Sequence, residues 1–300
     1  MQTPVVIALG FFDGVHLGHG ALLKRTRQRA SELRCPAVVL SFDRHPSALI
    51  TGKSVALINT ASDRAWLMKA LYGIDQVLLA PFDEAMMQMD WEDFVRQYLV
   101  GTLHACHVVC GHDYRFGYQG RGTPEKLQAL CSQLGLGCDI IGQVQLSGVT
   151  VSSTFIRTLL SKGDVETAAA FLGHPHLLTG CVIHGNHVGA TLGFPTANLA
   201  LPQGLISPAG GVYATKVAAG ESSYYAVTNV GTHPTVGRAC QTLVESSLLQ
   251  FSGDLYGQQI RVEFCRYLRP EKTFSSLAAL QAAIGRDVQS VKDYFGLPAI

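Results

Sequence analysis

Over the first half of the chain, short uninterrupted apolar runs alternate with longer segments of helical spacing. Val5–Leu9, Pro36–Phe42, Gln76–Ala80, His107–Cys110 and Cys138–Ile141 are too short for helices and carry no polar alternation. The first two read as strands buried on both faces and the other three as further strands. Between them, Ala21–Leu33 and Ala61–Tyr72 have helical spacing, and Asp90 caps a further helix with Trp91, Phe94, Tyr98 and Leu99 along one face. Strand, helix, strand, helix predicts an α/β unit with a parallel sheet and right-handed crossovers, a Rossmann-like arrangement. Val151–Lys162 closes this half as a helix with Ser152 and Ser153 placed to cap it.

At Gly173 the pattern changes. HPHLLTG reads as a linker, and the chain beyond it is β in character. Cys181–His184, Val212–Ala218, Tyr224–Val230, Leu243–Phe251 and Ile260–Tyr267 are strand candidates, separated by Gly, Pro and Asn signals as in a small closed antiparallel barrel. Phe274–Phe295 is helical and ends the chain. The expected division is therefore an α/β domain over 1–173 and a β-barrel domain with a C-terminal helix over 174–300.

Composition changes this picture little. Three hundred residues favour two cores over one. With 47% hydrophobic and 15% charged residues the chain packs rather than stays disordered. A net charge of +1 gives no footprint for nucleic acid or an acidic membrane surface, and no apolar run is long enough to span a bilayer. The eight cysteines are scattered without a Cys-x-x-Cys pair, which points to free thiols and the reducing cytosol.

The chemistry gathers just beyond the carboxyl ends of the parallel strands, where such sheets bind ligands. After Leu9, the residues Gly10, Gly14 and Gly18 relax a turn that carries Asp13, His16 and His19 ahead of a helix. Two imidazoles flanking a glycine at a helix N-terminus suit a phosphate that gains charge in a transition state. A zinc site is the competing reading, but no nearby Cys or acidic pair completes a tetrahedral set. In VSSTFIR, the hydroxyls of Ser153 and Thr154 and the guanidinium of Arg157 stand at a second helix start, a second candidate phosphate clamp.

In the second half, GATLGFPTAN at 189–198 combines glycines for close backbone approach with Thr196 and Asn198. Neutral oxygen ligands leave Mg²⁺ dependent on substrate phosphates, as in a kinase. Alternation in Thr242–Phe251 puts Glu245 on the side of Leu243, Leu249 and Phe251, where a carboxylate is tuned towards general-base work or held in a structural ion pair.

At this point the chain resembles the bifunctional riboflavin kinase/FAD synthetases of bacteria over nearly its full length. The resemblance rests on GFFDGVHLGH (10–19), SFDRHP (41–46), GHDYRFG (111–117), SSTFIR (152–157), LGFPTAN (192–198), GVYA (211–214), NVGTHPT (229–235), VESSLLQF (244–251) and DLYG (254–257). It implies that the first domain joins FMN to the AMP of ATP. There His16, His19 and Arg157 would act on the phosphates, and Gly10, Phe12, Asp13, Gly18, Ser153 and Thr154 would hold ATP. Phe42, His45, Pro46, Asp113 and Phe116 would hold the flavin. It implies that the second domain phosphorylates riboflavin, with Glu245 as base, Gly189, Gly193, Pro195 and Thr196 on ATP, and Thr196 and Asn198 on Mg²⁺. Partners expected on this basis are riboflavin, FMN and ATP, with weak self-association and neither nucleic acid nor membrane. The chain departs from many members at Phe155 and Ala190, where they carry Arg, and at Gly120, Ser247 and Gln250. The rival readings are an adenylyltransferase whose kinase domain has decayed to flavin binding, and a flavin-sensing regulator.

Overall fold

The computed structural model describes residues 3–52, 54–184, 196–233 and 241–298, with no side-chain description at 232, 233 and 241. The chain divides into two compact units, Met1–Ser153 and Thr154–Ile300.

The first unit is built on β1 (Val5–Leu9), β2 (Ala37–Phe42), β3 (Gln76–Ala80), β4 (Ala105–Gly111) and β5 (Gly137–Ile141), all parallel, in the order β3-β2-β1-β4-β5. Val6, Ile7, Ala8 and Leu9 are buried, as is every residue of β2, because helices cover both faces. The crossovers carry α1 (Leu17–Leu33), α2 (Pro46–Thr51), α3 (Ala61–Tyr72), α4 (Glu84–Gln88) and α6 (Pro124–Gln133). Before β4, α5 (Trp91–Asp93) continues as a π-helical segment over Phe94–Thr102. A small hairpin, β6 (Gln145–Leu146) with β7 (Val149–Thr150), precedes α7 (Ser153–Ser161). Winding reverses between β1 and β4, so the loops after these two strands flank the sheet's switch point.

Helix α1 begins at Leu17, four residues earlier than its apolar spacing suggests, with His16 as its cap. Gly18 and Gly20 therefore sit inside the first turn. Each makes room for a ring: a Cβ on Gly18 would press on the His16 imidazole, and one on Gly20 would overlap the Tyr72 hydroxyl.

In the second unit, α8 (Val165–Leu172) follows α7 and buries Val165, Ala168, Phe171 and Leu172. The antiparallel sheet runs β8 (His176–Cys181), β13 (Gln259–Arg269), β10 (Gly211–Ala219), β11 (Ser222–His233), β12 (Gln241–Leu248), β9 (Ala197–Ala200). An antiparallel bridge between Ile183 and Asn198 brings the two edges together, so the sheet is nearly closed into a barrel. HPHLLTG is thus not a linker. His176–Cys181 pairs with β13, because His176, Leu177 and Leu178 gain burial there that an exposed linker would not give. Past Cys181, the expected strand over 181–184 keeps only that single bridge. The strand around Glu245 ends at Leu248, followed by a turn in which Gln250 takes a left-handed φ of 59°.

Helix α9 (Leu277–Phe295) lies on the outer face of β10 and β11, where Val291 packs with Val212, Ala214 and Val227. Arg269 of β13 fixes it by a bidentate bond to Asp287, at 2.9 and 2.7 Å. A chain of buried hydroxyls runs from Thr215 to Thr228 at 2.6 Å and on to Ser246 at 2.8 Å.

Candidate functional site

Each unit presents a candidate site, the first set by a tight turn and the second by strand register. In the first unit β1 ends at Leu9 and the chain turns sharply through Phe12, Gly14 and Val15, at φ of 60°, 81° and 45°. Left-handed backbone is costly for Phe and more so for β-branched Val, so the surrounding structure must hold this turn in place. Several bonds do so. The buried Asp13 carboxylate accepts from the backbone N–H of Ile58 at 2.9 Å and of Asn59 at 3.5 Å. Ser153 Oγ donates to the Asp13 carbonyl at 2.9 Å.

The turn delivers His16 and His19 as a stacked pair, ring centroids 3.6 Å apart and planes 12° from parallel. His16 Nδ1 accepts the His19 backbone N–H at 3.3 Å, which leaves the proton of a neutral His16 on Nε2. His19 packs edge-on to Phe12. Burial above all, then the neighbouring His16 and Arg64, holds its imidazole well below the usual histidine pKa. It is a neutral hydrogen-bonding group at physiological pH. Its Nδ1 is buried without a partner among the described residues.

Beyond β2, His45 caps α2 and bonds Ser47 Oγ at 2.6 Å, and its ring meets Phe11 edge-on at 4.6 Å. Pro46 opens the same helix. Phe42 and Phe116, expected on the flavin, are 8% and 6% exposed and belong to the sheet's apolar core. Phe116 stands among Trp91, Phe94 and Tyr114 beyond the end of β4. Asp113 is exposed on the same loop.

Ser153 ends the first unit. Thr154, exposed, and Arg157, half-buried, open the second, where Phe155 turns away to pack edge-on against Phe171 at 4.9 Å.

The second unit's site is a row across three strands. Glu245 on β12 faces Asn198 on β9 and Asn229 on β11 in direct register. Directly opposed residues share a face. It is the face opposite the Thr228–Ser246 hydroxyls, the one that α9 covers further along the sheet. Asn229 Nδ2 donates to Glu271 at 3.2 Å. Asn198 is 3% exposed; its Nδ2 donates to the Thr196 carbonyl at 3.4 Å, and its Oδ1 has no partner among the described residues. Gly189, Gly193 and Pro195 lie outside the described residues.

Sequence reasoning gave no role to Arg64, Asn229 or Glu271. Arg64 had one signal: it stands three and four residues before Leu67 and Met68, on the buried stripe of α3.

A family model described as FAD synthetase matches residues 1–155, and one described as riboflavin kinase matches residues 172–295. A bifunctional riboflavin kinase/FMN adenylyltransferase of Haemophilus influenzae is 36% identical over 96% of this chain and 94% of its own length. The proteins of that name from Bacillus subtilis and Escherichia coli K12 are 34% and 36% identical over 98% and 99% of this chain, and 93% and 94% of their own. The crystal structure of a Streptococcus pneumoniae protein named a macrolide-efflux protein superposes with a TM-score of 0.84 at 28% identity, covering 97% of this chain and 95% of that one. Among the described residues no helix is long and apolar enough to cross a membrane.

Proposed function

The chain belongs to the bifunctional riboflavin kinase/FMN adenylyltransferase family, and from that premise we infer that it makes FAD from riboflavin in two ATP-dependent steps. The second domain transfers the γ-phosphoryl group of ATP to the ribityl 5′-hydroxyl of riboflavin, giving FMN and ADP. The first transfers AMP from a second ATP to the FMN phosphate, giving FAD and pyrophosphate. The observation that carries this reading is the pairing, on one chain, of the stacked His16–His19 couple at a helix start with the Glu245–Asn198 row across the barrel edge. A decayed kinase or a pure flavin sensor is not favoured, since both domain models match.

For the first step, Glu245 takes the hydroxyl proton as the oxygen attacks phosphorus. Thr196 and Asn198 are the residues that would hold Mg²⁺, and the buried, unpaired Oδ1 of Asn198 fits such an ion. When bound, Mg²⁺ supplies charge neutralisation on the ATP phosphates. For the second step, His16 Nε2–H and His19 donate to phosphate oxygens as charge builds on the pentacoordinate phosphorus. Gly10, Phe12, Asp13, Gly18, Ser153 and Thr154 surround or grip ATP, and Arg157 meets the leaving pyrophosphate. On the flavin side, His45, Pro46 and Asp113 offer polar and backbone contacts, and Phe42 and Phe116 form the apolar floor. Functional boundaries at 1–173 and 174–300 accompany this reading, as does a place in the reducing cytosol, which the free thiols of the described cysteines suit.

The test is direct. Protein is incubated with riboflavin, ATP and Mg²⁺, and riboflavin, FMN and FAD are resolved by chromatography. FMN should appear first and FAD follow; riboflavin left unchanged, or FMN that never becomes FAD, overturns the corresponding half.

A further inference from the structure

Arg64 is the largest of the fully buried side chains among the described residues. Burial pulls its pKa down to about 10, against the charges of Asp13 and Asp43, so it remains a cation at neutral pH. A buried cation is an expensive way to fill space, since an apolar side chain of like volume would avoid the desolvation. Its bonds indicate what it does instead. Nη1 donates to the Phe11 carbonyl and, at 3.0 Å, to Ser41 Oγ, while Nη2 donates to the Phe42 carbonyl at 2.9 Å. Ser41 Oγ itself donates to the Phe11 carbonyl at 2.9 Å. The guanidinium also lies over the Phe11 ring, 4.0 Å from its centroid, and that ring meets His45.

Phe11 is the last residue before the left-handed backbone that carries His16 and His19. Arg64 thus ties three points together: the start of the histidine turn, the carboxyl end of β2, and the ring against His45. Two residues of the segment leading into α3, Ile58 and Asn59, hold the same turn through Asp13.

We propose that Arg64 is a positioning residue for FMN adenylylation, setting the histidine turn and the end of β2 in register through its guanidinium fork. It touches neither reactant; it fixes Phe11 and, through it, the backbone that presents His16 and His19. The proposal rests on the adenylyltransferase reading above. A planar fork can serve two carbonyls and a hydroxyl at once, which an ammonium on a flexible stem cannot.

The experiment uses the full chain and measures kcat and KM for ATP and FMN in FAD formation from FMN. Wild type comes first: if it makes no FAD, the functional reading falls, whatever the variants do. With wild type active, Arg64→Lys and Arg64→Met are compared at matched near-UV circular dichroism. Displacing a preorganised group by about 1 Å costs on the order of 100-fold, so kcat should fall roughly 10- to 100-fold in both, with KM for ATP changed little. A wild-type kcat in Arg64→Lys would reduce the role to charge alone and overturn the proposal, as would a loss confined to KM. Should both variants lose their near-UV signal, Ser41→Ala decides. It leaves Arg64 in place and removes one acceptor, so kcat should drop several-fold with the signal intact; an unchanged kcat overturns the proposal.

Discussion

Glu245 and Asn198 face each other across the β12–β9 pair, in direct register, at the edge where the barrel nearly closes. The two residues are thereby set side by side although they lie 47 positions apart in the chain. A general base next to a cation ligand is what phosphoryl transfer to a hydroxyl asks for. Glu245→Gln keeps the shape and removes the base proposed for the kinase step. Riboflavin phosphorylation should fall about 100-fold or more, while conversion of added FMN to FAD continues at the wild-type rate. Asn198→Ala should raise the Mg²⁺ concentration needed for half-maximal phosphorylation, read from a metal titration of FMN formation. Loss of both activities in either folded variant would refute the assignment of this row to the kinase step.

His19 is expected to matter to the other step alone. His19→Ala removes the donor proposed for the phosphate, a loss worth about 100- to 1,000-fold in kcat by analogy with other preorganised donors. FMN should accumulate from riboflavin while FAD formation almost stops. Because burial keeps this imidazole neutral, its function needs no proton gained between pH 6 and 8. A wild-type FAD rate that rose tenfold on acidification across that range would contradict the neutral role.

The arrangement around Phe155 separates two effects that the sequence alone would merge. Its ring packs on Phe171, so Phe155→Arg should lower the thermal midpoint by several degrees, the effect of about 1–3 kcal/mol lost from a partly buried aromatic contact. FAD formation should change only several-fold. Arg157→Ala should do the reverse: near-normal melting with roughly 2–4 kcal/mol lost from transition-state stabilisation. Differential scanning fluorimetry beside kcat/KM for ATP checks both; an Arg157→Ala enzyme of wild-type rate would put another side chain on the phosphates.

Inside the barrel, His176 is fully buried against Phe264, and burial, with His174 nearby, drives its pKa down to about 3. An unfolded histidine titrates near 6.5, so the unfolded state binds a proton that the native state refuses between these values. Native stability is therefore unaffected by this group above about pH 6.5. It is lost at about 1.4 kcal/mol per unit as pH falls towards 3. Urea midpoints at pH 7.5, 6 and 5 should drop faster for wild type than for His176→Leu. Parallel slopes would mean that this imidazole takes up no proton on unfolding.

The position of α8 bears on where the second domain can be cut. Phe171 and Leu172 are buried within the second unit, so a fragment beginning at Thr154 should melt well above one beginning at His174. Both are expected to phosphorylate riboflavin, the shorter with reduced stability, as measured by circular dichroism and FMN formation. Equal melting points would show that α8 adds nothing to the barrel.

The sequence by itself determined the parallel strands and the glycine turn that sets His16 and His19 at a helix start. These features are local: a run of Val, Ile and Leu buried on both faces, or a glycine turn before a helix, is written in neighbouring residues. It did not determine where α1 begins, because Gly18 and Gly20 disguise a helical turn whose need for small residues comes from the distant ring of Tyr72 and the packing of His16. It read His174–Gly180 as a linker, although most of that stretch is strand, because an edge strand's burial is supplied by its partner, here β13. It assigned Arg64 no role, although its spacing with Leu67 and Met68 marked the buried stripe. The meeting of Glu245 with Asn198 and Asn229 was decided only by register. Pairing is a property of two strands, and a shift of one residue would have turned Glu245 into the barrel's interior.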